Sequence, residues 1–176
     1  MSELLKNIIR FVLLMFVQVF ILNNIMLNGL VQPYLYMLFI LLLPFQTPRW
    51  LLLIIGTATG WVLDNFMHTP GLHAAACAAV AYLRPFLIGM LSPQGGFEDT
   101  SRSPSPATMG TTKFIFYAGM LVLIHHVIYF TLEVFDFQAP RYLAMKILFS
   151  TLITLLLIFV YGLLFFEKRL KRRSFS

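Results

Sequence analysis

Val31-Gln-Pro-Tyr-Leu-Tyr-Met-Leu-Phe-Ile-Leu-Leu-Leu-Pro-Phe45 decides how this chain is threaded, being apolar enough to enter a bilayer yet short for a helix that must cross one. Around it lie longer apolar runs at Ile8 to Leu30, Trp50 to Phe66, Leu72 to Leu91, Phe114 to Phe135 and Tyr142 to Phe166. Hydrophobic residues make up 59% of the 176 and charged ones 11%, a balance that belongs to membrane proteins rather than to water-soluble domains. Whether the short run crosses fixes the side on which every later loop falls.

Charge resolves the question, because basic residues collect in cytoplasmic loops. If all six runs cross, Lys6, Arg10, Arg49, Arg102, Lys113, Lys168, Arg169, Lys171, Arg172 and Arg173 share one side. Only Arg141 and Lys146 lie toward the other. Leaving the short run out would set Lys6 and Arg10 opposite Arg49 and the basic tail. The sequence therefore predicts one all-α integral membrane domain over residues 1–176, with six transmembrane helices, a short second one, and both termini cytoplasmic. Pro33 would start the short helix and Pro44 end it, where missing amides do least harm. A re-entrant segment is the alternative for this run. Tyr34 and Tyr36 are expected in an interfacial aromatic belt, and Trp50 and Trp61 to bracket the following helix likewise. The first run is long and is followed by Asn23, Asn24 and Asn28 rather than by a small-residue cleavage site, so it is expected to remain as an anchor.

Residues 92–112 are rich in Ser, Pro, Gly and Thr around Ser103-Pro-Ser-Pro106, which predicts a flexible cytoplasmic loop. The 167–176 tail reads as a topology signal whose Lys168, Arg169, Lys171, Arg172 and Arg173 meet anionic lipid headgroups. No stacking surface or folded reader accompanies this charge, so nucleic acid is not an expected partner. Cys77 is the one cysteine, which excludes an intramolecular disulfide.

Ionisable groups inside apolar runs need a reason to be there, since one at mid-membrane costs about 2.5 to 3.5 kcal/mol on insertion scales. Several cluster in the hairpin from Gly60 through Asp64, His68 and His73 to Arg84-Pro85. Asp64 and Lys146 are expected near the outer boundary, either paired, with Arg141 and Glu133 extending the network, or reaching the headgroups separately. His125 and His126 fall mid-helix and point about 100° apart, which favours neutral rings bonded to neighbouring helices over a shared site. His73 and Cys77 share a helix face, but two ligands do not make a metal site. The run Ala74, Ala75, Ala76, Cys77, Ala78 and on to Ala81 reads as a small-residue face for close helix contact. Arg84 is expected to reach the inner interface or to donate to carbonyls freed by Pro85. With no nucleophile–base pair, phosphate loop or zinc motif, neither an enzyme nor a cofactor is expected.

Taken in order, several pieces of the chain resemble the rod shape-determining MreD family, in particular its shorter members. They are Val19-Phe-Ile-Leu-Asn23-Asn24-Ile, Pro33 to Pro44, the Asp64 to Ala76 hairpin, Arg84-Pro85, Gly95-Gly96-Phe97-Glu98, His125-His126 with Glu133, and Ser150-Thr-Leu-Ile-Thr154. The resemblance covers most of the chain, with the Ser103 to Pro106 insert as a departure. It implies a non-enzymatic inner-membrane component of the bacterial cell-elongation machinery, binding membrane-anchored MreC and, through it, MreB filaments, RodA and penicillin-binding synthases; a homodimer is a further possibility. It also implies a six-helix bundle similar to the S components of vitamin-uptake transporters, which makes vitamin binding the rival function. Those components dock through an Ala-x-x-x-Ala pattern on the first helix; Ile8 to Leu22 contains neither Ala nor Gly.

Overall fold

Inside hydrocarbon a long apolar stretch folds as a helix because only an intrahelical ladder satisfies every backbone N–H and C=O locally. The computed structural model describes residues 3–24, 30–94, 96–97, 102–134 and 139–165. In chain order these form α1 (Glu3–Phe20), a single turn at Leu22–Asn24, a second at Leu35–Met37 running into the four-residue α2 (Leu38–Leu41), α3 (Arg49–Met67), α4 (Leu72–Leu91), the short α5 (Pro106–Met109), α6 (Thr111–Val134) and α7 (Pro140–Phe165). Five of them, α1, α3, α4, α6 and α7, are long and apolar enough to cross a membrane, and the chain is an all-helical multi-pass membrane protein. The basic tail, Asn28, Glu98 and Phe135 lie outside the described residues.

The 31–45 run departs from expectation. It is helical only over Leu35–Leu41, and the residues on either side are irregular. Pro33 and Pro44 carry no N–H and restrict their predecessors, so the helix cannot extend through either. Rather than facing outward as belt residues would, Tyr34 is 2% exposed and Tyr36 0%, and Met37, Leu38 and Ile40 to Leu42 are fully buried. This central segment is the middle of the bundle. Helix α3 packs on α4, α4 on α6 and α6 on α7, while α1 lies across the segment from that row and touches α3.

The segment runs antiparallel to α1. Gln18 near the end of α1 donates to Pro33 O at 3.1 Å, and Arg10 near its start donates to Leu42 O at 3.1 Å. The chain thus returns to the end where α1 began, and there Phe45 N donates to Arg102 O at 3.0 Å. The described part of the 92–112 connection folds onto this end. Ser105 caps α5 through a reciprocal capping box with Thr108, Pro106 occupies the first turn, Met109 is buried, and Phe97 stacks on Phe45 at 4.5 Å.

Helices α3 and α4 form a tight hairpin through the turn His68 to Gly71, where His68 (φ 55°) and Gly71 (φ 84°) take left-handed conformations. Small residues let their backbones meet. A Cβ at Gly56 would lie 2.7 Å from Ala81 Cβ, and one at Gly60 would collide with His73 O and lie 2.6 Å from Ala74 Cα. The Ala74–Ala81 face therefore packs within the chain: Ala76, Cys77 and Ala81 are buried, Ala74 and Ala78 are half-buried, and Ala75 alone of the run is exposed.

Because Gly60 meets backbone, which cannot turn aside, Gly60→Ala should force α3 from α4 and destabilise the protein by about 1–3 kcal/mol. Gly119 has nothing within 4 Å, so Gly119→Ala should be neutral or stabilising by up to about 1 kcal/mol. Melting of the helical circular dichroism signal in a fixed detergent would measure both; equal melting temperatures would refute the close approach.

Candidate functional site

Many of the buried polar side chains converge on the central segment. Outside its few helical turns this stretch has amides and carbonyls without intrahelical partners, and at membrane depth they must be satisfied by protein. Gln18 provides the largest share: its Oε1 accepts from Leu35 N at 2.8 Å and Tyr36 N at 3.3 Å while its Nε2 holds Pro33 O. From α7, Ser150 Oγ accepts from Gln32 N at 3.0 Å and Thr154 Oγ1 from Tyr34 N at 3.1 Å. These two residues sit one turn apart on one face, which is why both reach the same strand of backbone.

At the far end the segment's last carbonyls meet cations. Arg84 is fully buried and donates to Leu43 O, to Pro44 O at 3.4 Å and, through Nε, to Tyr117 OH at 3.0 Å. Tyr117 passes its own proton on to Leu41 O at 2.9 Å. A guanidinium against free carbonyls at a helix C-terminus is favourable on both charge and dipole grounds. Arg84 thus serves carbonyls of the neighbouring segment rather than those freed by Pro85 in its own helix.

Between these ends lies a cluster of neutral rings. Tyr36 OH is 2.8 Å from His125 Nε2, 3.0 Å from His73 Nδ1 and 3.3 Å from Cys77 Sγ. The hydroxyl has one proton and two lone pairs, so it donates to one of these three groups at a time and accepts from at least one imidazole N–H if both rings are bonded. The outward nitrogens, His73 Nε2 and His125 Nδ1, have no protein partner among the described residues. His73 also stacks on Tyr129, with ring centroids 4.3 Å apart. His126 faces elsewhere. Its Nδ1 must donate to Val122 O at 2.8 Å, since a carbonyl only accepts, leaving Nε2 to accept from Thr154 at 3.4 Å. The two histidines are bridges to different neighbours.

Asp64 and Lys146 do not pair. Asp64 sits beneath the start of α4, where Gly71 has no side chain to cap with, and does the capping from α3. Its Oδ1 accepts from His73 N at 3.0 Å and Thr69 Oγ1 at 2.9 Å, and its Oδ2 from Ala74 N at 3.0 Å. Lys146 instead binds Glu133 at 2.6 Å, with its ammonium 4.7 Å from the centre of the Phe130 ring. Among the described residues no three His, Cys, Asp or Glu side chains are arranged to hold a metal ion.

Gln18, Tyr36, Tyr117, Ser150 and Thr154 escaped the sequence reading as site residues. Gln18 had a usable signal, since a lone amide inside an apolar helix needs a polar partner on another segment. No protein-family model, curated protein or solved structure matches this chain.

Tyr36→Phe removes the atom that three buried groups share. A loss of about 1–3 kcal/mol is expected. Among the described residues Thr59 bonds only to Ile55 O in its own helix, and Thr59→Ala should cost less than about 0.5 kcal/mol. Equal melting temperatures for the two variants in detergent would show that the ring cluster does not hold the fold together.

Proposed function

We propose that this protein is a non-enzymatic scaffold of the MreD type in the bacterial inner membrane, binding MreC and helping to position peptidoglycan synthesis during cell elongation. The observation that carries the reading is the meeting, around one buried segment, of pieces that are far apart in sequence and that carry the resemblance. Pro33 to Pro44 is that segment; the Asp64 to Ala76 hairpin brings His73, Arg84 opens the Arg84-Pro85 step, and His125-His126 and Ser150 to Thr154 close on it from α6 and α7. Such residues fix a shape rather than react. A vitamin-binding S component, by contrast, would need its interior open where Tyr36 and Leu38 to Leu42 are packed.

In this reading the chain crosses six times, the central segment making the second crossing, with both termini cytoplasmic. The antiparallel run of that segment beside α1 supports it, as does the gathering of Arg10, Phe45 and Arg102 at one end. Since the Ala74–Ala81 face is occupied by α3, the partner-binding surface moves to α1, which presents Leu4, Ile8, Val12, Phe16 and Phe20 outward along one stripe. A single membrane anchor of a partner such as MreC would lie there; MreB, RodA and the penicillin-binding synthases would be reached through it.

Depletion in a rod-shaped host should give round cells with mislocalised wall synthesis. Cells of normal shape that have lost vitamin uptake would overturn the proposal. For the topology, a reporter fused after Gln46 should report cytoplasm and one after Phe135 the external side; an external signal at Gln46 would remove the second crossing.

A further inference from the structure

Between the lower halves of α3 and α4 the hairpin opens. The helices touch at Gly60 and Gly56, but two turns further down a cleft of about 350 Å³ is lined by Arg49, Leu53, Ala81, Tyr82, Pro85 and Phe86. At Leu53 it joins a shallow furrow along α3 over Ile54, Thr57, Ala58 and Trp61. Three properties of this groove narrow its occupant.

Its walls face outward and are apolar: Tyr82 is 71% exposed, Phe86 69%, Ile54 58% and Trp61 62%. Its charge sits at one end, where exposed Arg49 has no ion-pair or hydrogen-bond partner among the described residues. Its length is that of one leaflet. From Arg49 to Trp61 is twelve helical steps, about 18 Å, against about 15 Å for half of a hydrocarbon core.

We propose that this groove seats one anionic phospholipid, its phosphate on Arg49 and an acyl chain along Leu53, Thr57 and Ala58 toward Trp61. The headgroup supplies the negative charge that Arg49 lacks, and Trp50, 63% exposed beside it, lies at the depth of the glycerol region. A transmembrane helix of another protein would run on into the second leaflet, beyond the groove. A second copy of this chain meeting the same face about a two-fold axis along the membrane normal would bring two Arg49 guanidiniums together at one depth. Under the orientation proposed above the leaflet is the cytoplasmic one, where anionic lipids give the surface its negative potential. The site depends only on the chain being in a bilayer, so its test and the cell-shape test fail independently.

The chain has two tryptophans, Trp61, which lines the furrow, and Trp50, the neighbour of Arg49 in sequence, and their fluorescence reports on the groove. Purified protein is reconstituted in phosphatidylcholine vesicles with a small fraction of either phosphatidylglycerol or phosphatidylcholine brominated on the acyl chain. Brominated phosphatidylglycerol should quench the tryptophan fluorescence at about one-fifth the mole fraction that brominated phosphatidylcholine requires, the preference one cation near a membrane surface confers. Arg49→Gln should abolish the preference while leaving the helical signal unchanged, and Arg49→Lys should restore most of it. Equal quenching by the two lipids in the unaltered protein, or an unchanged preference in Arg49→Gln, would overturn the proposal. So would quenching by neither lipid until a co-purifying protein is removed, which would assign the groove to that protein.

Discussion

An amide or carbonyl taken into hydrocarbon without a partner costs several kcal/mol, and the stretch from Gln32 to Pro44 takes in many. The rest of the interior is arranged around that constraint. Four helices beside the segment contribute polar atoms where its backbone needs them: Gln18 and Arg10 from α1, Arg84 from α4, Tyr117 from α6, Ser150 and Thr154 from α7. Side-chain hydrogen bonds between membrane helices are individually modest, averaging about 0.6 kcal/mol. Here they are not optional, because the alternative for each is an unsatisfied backbone group rather than a bond to lipid or water.

The same constraint explains buried groups that first suggest chemistry. Arg84 is a full charge at zero exposure, yet its partners are two backbone carbonyls and a phenol. Asp64 neutralises the start of α4 in place of Gly71, which cannot cap it. His73, Cys77 and His125 surround the Tyr36 hydroxyl, one of the segment's own side chains. These polar groups act on this chain's own backbone and rings, and specificity of packing is what they provide.

Local patterns were legible in the sequence and long-range pairings were not. The expected runs Trp50 to Phe66 and Leu72 to Leu91 correspond to α3 at Arg49–Met67 and α4 at Leu72–Leu91, because apolar length alone marks such helices. The small-residue face at Ala74–Ala81 was also readable as a site of close contact, but its partner was not: glycines at 56 and 60 fit it from the adjacent helix. Lys146 could be placed by depth near Asp64, and depth cannot distinguish Asp64 from Glu133. Which of two acids at one level is met depends on the rotation of α6 and α7, which no single-helix pattern encodes. Tyr34 and Tyr36 failed for a related reason. A tyrosine near the end of an apolar run reads as interfacial only if the run starts at the surface.

This run instead packs both rings inside the protein. Its attachments on α1, Gln18 to Pro33 and Arg10 to Leu42, are eight residues apart, as are Tyr117 and His125, its attachments on α6. Both spacings correspond to about 12 Å along a helix axis. Along α1 that distance brackets Pro33 to Leu42 and along α6 the Tyr36 hydroxyl to Leu41, so the segment is held over less than half of a hydrocarbon core about 30 Å thick. Pro33 and Pro44 therefore bound a stretch whose side chains are buried within the protein. Beyond the segment, Leu43 to Pro48 is irregular chain, tied to the 92–112 connection through Phe45. A regular helix of the same 15 residues would measure about 22 Å and need few polar partners. By breaking into short turns the segment gives up its own hydrogen bonds, so the polar residues that gather around it and its irregular course have a single cause.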